Sequence, residues 1–261
     1  MRARQILRQA ALALGLPAAL LAAWWIASAG SANFFFPPLQ LIARTFVEVW
    51  VSPRILDDVV PSLSRLMAGY FGAVALGLAL GIPIGLSRGL RNVLEPVLEF
   101  LRAIPPPALV PILILFAGIG DTMKTLVIVS GCVWPVLLNT VEGVRGRDEV
   151  LEDVVRSYRI GGFARLVHFV LPSASPQVFT GLRQALSIGI ILMVISEMFA
   201  ASNGLGFAII QFERSFAVPE MWTGIILLGL IGIALAQVFR LVEHRMLAWY
   251  HGLRQSQRAG G

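Results

Sequence analysis

Lysine is all but missing from this chain, with Lys124 its sole representative. A nucleotide-binding P-loop needs G-x-x-x-x-G-K-[ST], whose amides and lysine cradle phosphates. No such segment occurs, so any use of ATP falls to a partner. Cysteine is equally scarce: Cys132 stands alone inside an apolar run, which excludes an internal disulfide and leaves an inert buried thiol. The three histidines, His168, His244 and His251, lack metal-ligand spacing, and the last two read as interfacial. No nucleophile–base pair or carboxylate dyad stands at useful spacing, which argues against an enzyme. Charge is thin as well, 14% of residues against about 25% in a soluble domain. The net charge of +6 does not point to nucleic acid, because no basic run is interleaved with aromatics on a polar face.

Apolar residues are what the chain has in excess. They make up 57% of 261 residues and come in long runs, more than one core of this size could hide. A helix needs about 20 apolar residues to cross ~30 Å of hydrocarbon. Six stretches have that character, at 9–29, 66–86, 97–119, 123–138, 178–200 and 222–242. They predict an all-α integral membrane protein with about six transmembrane helices. Residues 39–51 read as an amphipathic helix lying on the surface, and 205–210 as a short re-entrant or interfacial piece. The first stretch has a second reading. Arg2, Arg4 and Arg8, an apolar run and then Ala27-Ser28-Ala29 fit a cleaved signal peptide. A retained anchor is simpler, because the run is long and five more spans follow.

Orientation follows from the cations. With the N-terminus inside, fourteen arginines fall on the inner side and four cations, Arg44, Arg54, Lys124 and Arg214, on the outer. Both termini are then cytoplasmic. Trp24, Trp25 and Trp222 fall near outer ends, and Trp134, Trp249 and Tyr250 near inner ends, as interfacial rings prefer. Gly77, Gly81 and Gly85 recur every four residues in the second stretch, a spacing that lets helix backbones approach closely. Pro83, and Pro105, Pro106, Pro107 and Pro111 in the third stretch, interrupt regular helix. Such breaks either line a path or are plain kinks.

The longest inner loop, 139–172, reads NTVEGVRGRDEVLEDVVRSYRIGGFARLVHFVLP. Its pattern predicts two short amphipathic helices, 149–158 and 163–170, parted by Gly161-Gly162. Glu152 or Asp153 with Arg156 offers i, i+4 and i, i+3 support to the first. A helical hairpin charged on one face and apolar on the other suits docking, and a solvated loop is the plainer alternative.

The loop resembles that of the membrane subunits of binding-protein-dependent ABC importers. Their signature is E-A-A, three residues, G, nine residues, I, one residue, L-P. Here it reads Asp153-Val154-Val155, Arg156-Ser157-Tyr158, Arg159, nine residues, then Phe169-Val170-Leu171-Pro172. Val replaces both alanines, and Arg159 stands where the glycine belongs; Gly161 or Gly162 would supply the permissive backbone instead. SLSRLMAGYFGAVALGLALGIPIGL from Ser62, LEPVLEFLRAIPPPALVPILILFAGIG from Leu94, WPVLLNTVEGVR from Trp134 and LPSASPQVFTGLRQALSIGIILMVISEMFAASNGLG from Leu171 are similar to the nitrate/sulfonate/taurine/bicarbonate branch.

The resemblance implies a type I ABC importer permease fold with a cytoplasmic coupling-helix loop. It divides the chain into 1–58, an N-terminal span with a periplasmic amphipathic segment; 59–250, the permease core; and 251–261, a cytoplasmic tail. It implies a bacterial inner-membrane location, a second permease copy forming a homodimer, two cytoplasmic ATPase subunits and a periplasmic or lipid-anchored solute-binding protein. It implies no cofactor on this chain, with ATP and Mg on the ATPase. By the same resemblance the ATPase-coupling residues would be Glu152, Asp153, Val154, Val155, Arg156, Ser157, Tyr158, Arg159, Gly161, Leu171 and Pro172. The solute would be a small anion such as a sulfonate, taurine, nitrate or bicarbonate, with a thiamine-precursor pyrimidine as a rival. An ATPase-independent channel or secondary transporter is the alternative from another class.

Ionisable groups within spans are costly and face a bundle interior or a wet cavity. Arg183 and Glu197 lie about 21 Å apart along the fifth stretch, too far to pair on one helix. Arg183 could attract an anion and Glu197 could serve an outer gate. The favoured reading is structural: each pairs with a neighbouring helix or snorkels to an interface. Asn139 and Ser187, with Gln177, Gln184 and Ser196, are further candidate pathway liners. The segment from Ser202 to Gly206 has the flexibility to receive a binding protein, or is an ordinary turn.

Overall fold

The computed structural model describes residues 2–31, 33–199 and 201–250, with residues 2–14 as backbone alone. The tail 251–261, with His251, Arg254 and Arg258, lies outside the described residues, as do Ala200 and the side chains of Arg2, Arg4 and Arg8. The described residues form helices joined by short turns and irregular segments. α1 is Arg2–Ser28 and α2 is Leu39–Trp50. α3 is Val60–Leu86, α4 Arg88–Arg102, α5 Val110–Ala117 and α6 Asp121–Arg145. α7 is Glu149–Ser157, α8 Gly162–Arg165, α9 Leu171–Phe199, α10 Leu205–Arg214 and α11 Val218–Met246.

Among the described residues four helical rods are long and apolar enough to cross a bilayer: Ile55–Leu86, Asp121–Arg145, Gly162–Phe199 and Val218–Met246. The third expected span, 97–119, is not one helix. Arg88–Arg102 and Pro106–Ala117 meet at 81°. Three consecutive prolines, Pro105, Pro106 and Pro107, remove three amide donors and force the residue before them out of helical backbone. The first expected span falls on α1, of which Gly15–Ser28, the part described with side chains, is an apolar helix shorter than those four rods.

Two spans begin earlier than their hydropathy. The second starts at Ile55 rather than residue 66, and the fifth at Gly162 rather than residue 178. Each includes one wide π-helical turn, Ile55–Val59 and Leu166–Val170, placed just before Pro61 and Pro172. A proline inside a helix leaves the carbonyl four residues back unpaired and collides with it. A wider turn relieves both at once, so helix runs through each proline.

α6 is the centre of the bundle, between α3 and α9. The four-residue glycine repeat of α3 faces it. A Cβ on Gly77, Gly81 or Gly85 would stand 2.7–2.8 Å from Val136, Thr140 or Val144, one helical turn apart on α6. Gly181 of α9 meets the same helix from the other side, where a Cβ would lie 2.5 Å from the Pro135 carbonyl oxygen. Side chains too small to separate the backbones give this contact its van der Waals area. Cys132 is buried in the core, with its thiol 3.2 Å from the Ala185 carbonyl.

α2 is amphipathic as expected. It buries Ile42, Thr45 and Trp50 and packs on α11, where the Trp50 indole donates to Thr223 Oγ1 at 2.9 Å. Trp24 and Trp222 meet with ring centroids 5.4 Å apart, joining α1 to the start of α11.

Candidate functional site

The loop between α6 and α9 is a closed hairpin. Asp148 Oδ1 caps α7, accepting from the Val150 and Leu151 amides at 2.8 and 3.1 Å. Glu152 is the hub. It pairs with Arg147 at the end of α6 at 3.2 Å, with Arg156 one turn on at 3.7 Å, and closely with Arg165 of α8. Val155 packs inward on the cluster of Val144, Phe169, Val170 and Ala174. Only Glu152 and Val155 of this helix turn toward the bundle. Val150, Leu151 and Val154 face outward, 72%, 51% and 45% exposed, with Tyr158 and Phe163 at 77% and 79% beside them. Asp153 and Arg156 flank that apolar surface, are also exposed, and come within 4.0 Å of each other. Ser157, Arg159 and Gly161 are exposed, Leu171 is partly so, and Pro172 is half-buried in the rod that starts at Gly162.

The backbone at the end of α7 differs from expectation. Arg159 itself takes the left-handed conformation, φ 55°, at the signature's glycine position. The Arg159 amide donates to Arg156 O and the Ile160 amide to Val155 O, at 2.9 and 3.0 Å. This paired pattern is a Schellman cap, which glycine usually supplies. Gly161 is extended and does not substitute for it, while Gly162 makes a second left-handed turn at φ 59°.

The polar residues of the membrane region fall into two groups. Arg183 of α9 pairs closely with Glu243 of α11. Asn139 of α6 joins two α9 side chains, accepting from Gln177 at 2.9 Å and donating to Gln184 at 3.2 Å. Gln177, Thr180, Gln184 and Ser187 share one exposed face of α9, three or four residues apart. Ser187 Oγ donates only to the Arg183 carbonyl one turn back, at 3.4 Å.

Glu197 belongs to a second group at the far end of α9. Its side chain is fully buried and meets Arg65 of α3 at 2.8 Å, Ser62 Oγ at 2.7 Å and the Gly206 amide at 3.0 Å. Arg65 also reaches Asp121 at 2.7 Å and the Asn203 side chain at 2.6 Å. Asp58 accepts from the Gly204 amide, and Ser62 from the Leu205 amide, each at 2.9 Å. The opening amides of α10 are therefore capped by side chains from other elements. Segment 202–206 is not a free loop; its Gly204, Leu205 and Gly206 amides are each held by a side chain. Sequence reasoning missed Asp58, Ser62 and Arg65. Their spacing of four and three on one helical face, at the edge of an apolar stretch, was the available signal.

Residues 73–248 match the family described as binding-protein-dependent transport system inner membrane component. The chain is 30% identical over 250 residues to the taurine transport system permease protein TauC of Escherichia coli, covering 93% of this chain and 91% of that one. It is 28% identical over 240 residues to the nitrate import permease protein NrtB of a Synechocystis species, covering 87% and 85%. Among solved structures, an inward-facing conformation of the MetNI methionine ABC transporter superimposes with a TM-score of 0.59 at 16% identity. That match spans 80% of this chain and 96% of the other, and speaks for the fold alone.

Proposed function

The chain belongs to the family of binding-protein-dependent transport system inner membrane components, and on that premise we propose how its surfaces divide the work. It is the membrane permease of an ABC importer, so its task is to hold and reshape a pathway. α7 seats in a groove of a separate cytoplasmic ATPase, which binds ATP and Mg. The observation that carries this is the outward apolar surface of Val150, Leu151, Val154, Tyr158 and Phe163 on a hairpin already closed by Glu152. Burying such side chains in a partner yields about 25 cal/mol per Å² removed from water. Asp153 and Arg156 at its edge give the contact its register.

Movement of the hairpin passes into the membrane because α8 and α9 form one rod of 38 residues, Gly162–Phe199. The rod carries the face of Gln177, Thr180, Gln184 and Ser187, with Asn139 beside it. We assign that face to the pathway, closed by the same face of a second copy in a homodimer. Arg183 and Glu197 serve structure, each held by a partner on another helix. ATP on one side and a loaded binding protein on the other then bias two packings of the same helices. Both termini lie in the cytoplasm with the α7 hairpin, which concentrates Arg147, Arg156, Arg159 and Arg165 there. The named relatives favour a small anion such as taurine, another sulfonate or nitrate as solute.

Replacing Asp153 and Arg156 together tests the coupling role. Membrane insertion should persist, while co-purification of the ATPase is lost and ATP-dependent uptake in proteoliposomes falls at least tenfold. Survival of both would overturn the docking role. Full-rate uptake without ATP by this chain alone would overturn the importer itself.

A further inference from the structure

Beside the end of α6 that leads into the α7 hairpin, a cavity of about 290 Å³ lies between α4 and α6. Its floor is apolar, with Ile84 of α3 and Leu137 of α6. Its two rims are charged: Arg91 and Glu95 stand on α4, Glu142 and Arg145 on α6. The fold brings these four to one end. A Cβ on Gly85, near the end of α3, would lie 2.7 Å from Val144, and α4 starts soon after, at Arg88. Beyond its other end comes Pro106, 3.0 Å from the place a Gly131 Cβ would take. α4 therefore runs against the direction of α6, and its first turns lie level with Glu142 and Arg145.

The pairing of these charges stops short of the gap. Glu142 pairs with Arg145 at 3.5 Å and Glu99 with Arg102 at 3.7 Å, each within its own helix. Among the described residues no ion pair crosses the cavity, and none reaches Arg91 or Glu95. Yet the signs across it are complementary, Arg91 against Glu142 and Glu95 against Arg145. α4 is also lightly held. It buries none of its residues, meets the core through Leu94 and Leu98, and ends at the 81° proline corner. Glu142 has a second neighbourhood. It lines the adjoining cavity with Gln177, the first residue of the polar face of α9, and so stands between α4 and that face.

We propose that α4 is a latch. Swinging about the corner between Arg102 and Pro106, it closes on α6 and collapses the cavity. The Glu142–Arg145 pair is exchanged for two pairs across the seam, Arg91–Glu142 and Glu95–Arg145. Giving up the exposed pair costs little. Water leaves the cavity on closure, which strengthens both new pairs, and the apolar floor is covered at the same time. The latch rests on the import reading: it shuts the hairpin end of the pathway in the ATP-bound packing and opens it in the other.

The test uses the complete transporter in lipid nanodiscs. Arg91→Cys with Glu142→Cys, in a Cys132→Ser background, sets two thiols across the cavity and leaves Glu95 and Arg145 to draw the helices together. A disulfide needs their Cα atoms within about 7 Å. Oxidative crosslinking should run about tenfold faster with ATP bound and hydrolysis blocked than without nucleotide. No crosslink in either state, or equal rates in both, overturns the latch. Charge exchange gives the second readout. Arg91→Glu or Glu142→Arg alone sets like charges across the closed seam and should lower ATP-dependent uptake about threefold. The double variant restores the attraction and should recover most of the uptake, which a loss of mere local structure would not. Single variants at the parent rate, or a double variant no better than the poorer single, overturn the latch and leave the importer standing. Absence of uptake by the unaltered transporter strikes the importer, and whether the disulfide forms at all then decides the latch alone.

Discussion

Arg159 occupies a backbone well that costs an L-residue with a Cβ about 1–2 kcal/mol. The signature's glycine would sit there without that cost. Arg159→Gly should therefore stabilise the end of α7 by about 1 kcal/mol. Hydrogen exchange at the Ile160 amide, which donates to Val155 O, should slow about fivefold. An unchanged rate would mean the cap does not limit opening of the hairpin. Glu197 makes the opposite case. Glu197→Ala leaves the buried Arg65 guanidinium short of one carboxylate and the Gly206 amide without its acceptor. A loss of about 3–5 kcal/mol should follow, visible as a large drop in the thermal unfolding midpoint in detergent. The Asp121 and Asn203 contacts would remain. A midpoint within a degree or two of the parent would show that the outer cluster contributes little to stability.

At the scale of elements, the glycine seam between α3 and α6 predicts its own failure. Gly81→Leu must push α3 away from Thr140 and cost about 1–3 kcal/mol, whereas Gly89→Ala meets nothing within 4 Å and should be neutral or slightly stabilising. Unfolding midpoints of the two variants, measured side by side, check this. The seam was legible beforehand because a four-residue repeat of glycine in an apolar run has one main structural use. The α7 hairpin was legible for a similar reason: acids, arginines and valines alternate at helical spacing and then meet Gly161-Gly162. The 81° corner between α4 and α5 was only half legible. Prolines announce that a helix stops, but the direction in which it resumes depends on packing. Outward-facing Val150 and Val154 were also beyond reach, since an amphipathic pattern does not say which face is the inside. The outer cluster escaped for a stricter reason. Asp58, Ser62 and Arg65 reach Gly204 and Glu197, 132 to 146 residues away, and no local pattern encodes such pairs.

The whole molecule is organised around continuity between hairpin and membrane. Because Gly162–Phe199 is unbroken, a displacement of α7 has a direct path to the polar face of α9. Inserting Gly-Gly after Leu166 should sever that path. ATPase binding by α7 should persist, while solute-dependent stimulation of ATP hydrolysis and uptake both fall at least tenfold. Normal coupling through the insert would show that the signal travels by another route. The composition at which the sequence was first read, poor in charge and rich in apolar runs, sets the bilayer frame. Two charge clusters, around Glu152 and around Arg65 with Glu197, lie at opposite ends of the rod, while Arg183 pairs with Glu243 partway along it.

The α3–α6–α9 unit is glycine-packed along its seams, held at one end by Glu152 and at the other by Arg65 and Glu197. α4 buries none of its residues and ends at the proline corner. In mechanical terms the protein is a stiff beam beside a compliant elbow. Such a build would concentrate any change of shape at the elbow between Arg102 and Pro106 rather than in the beam.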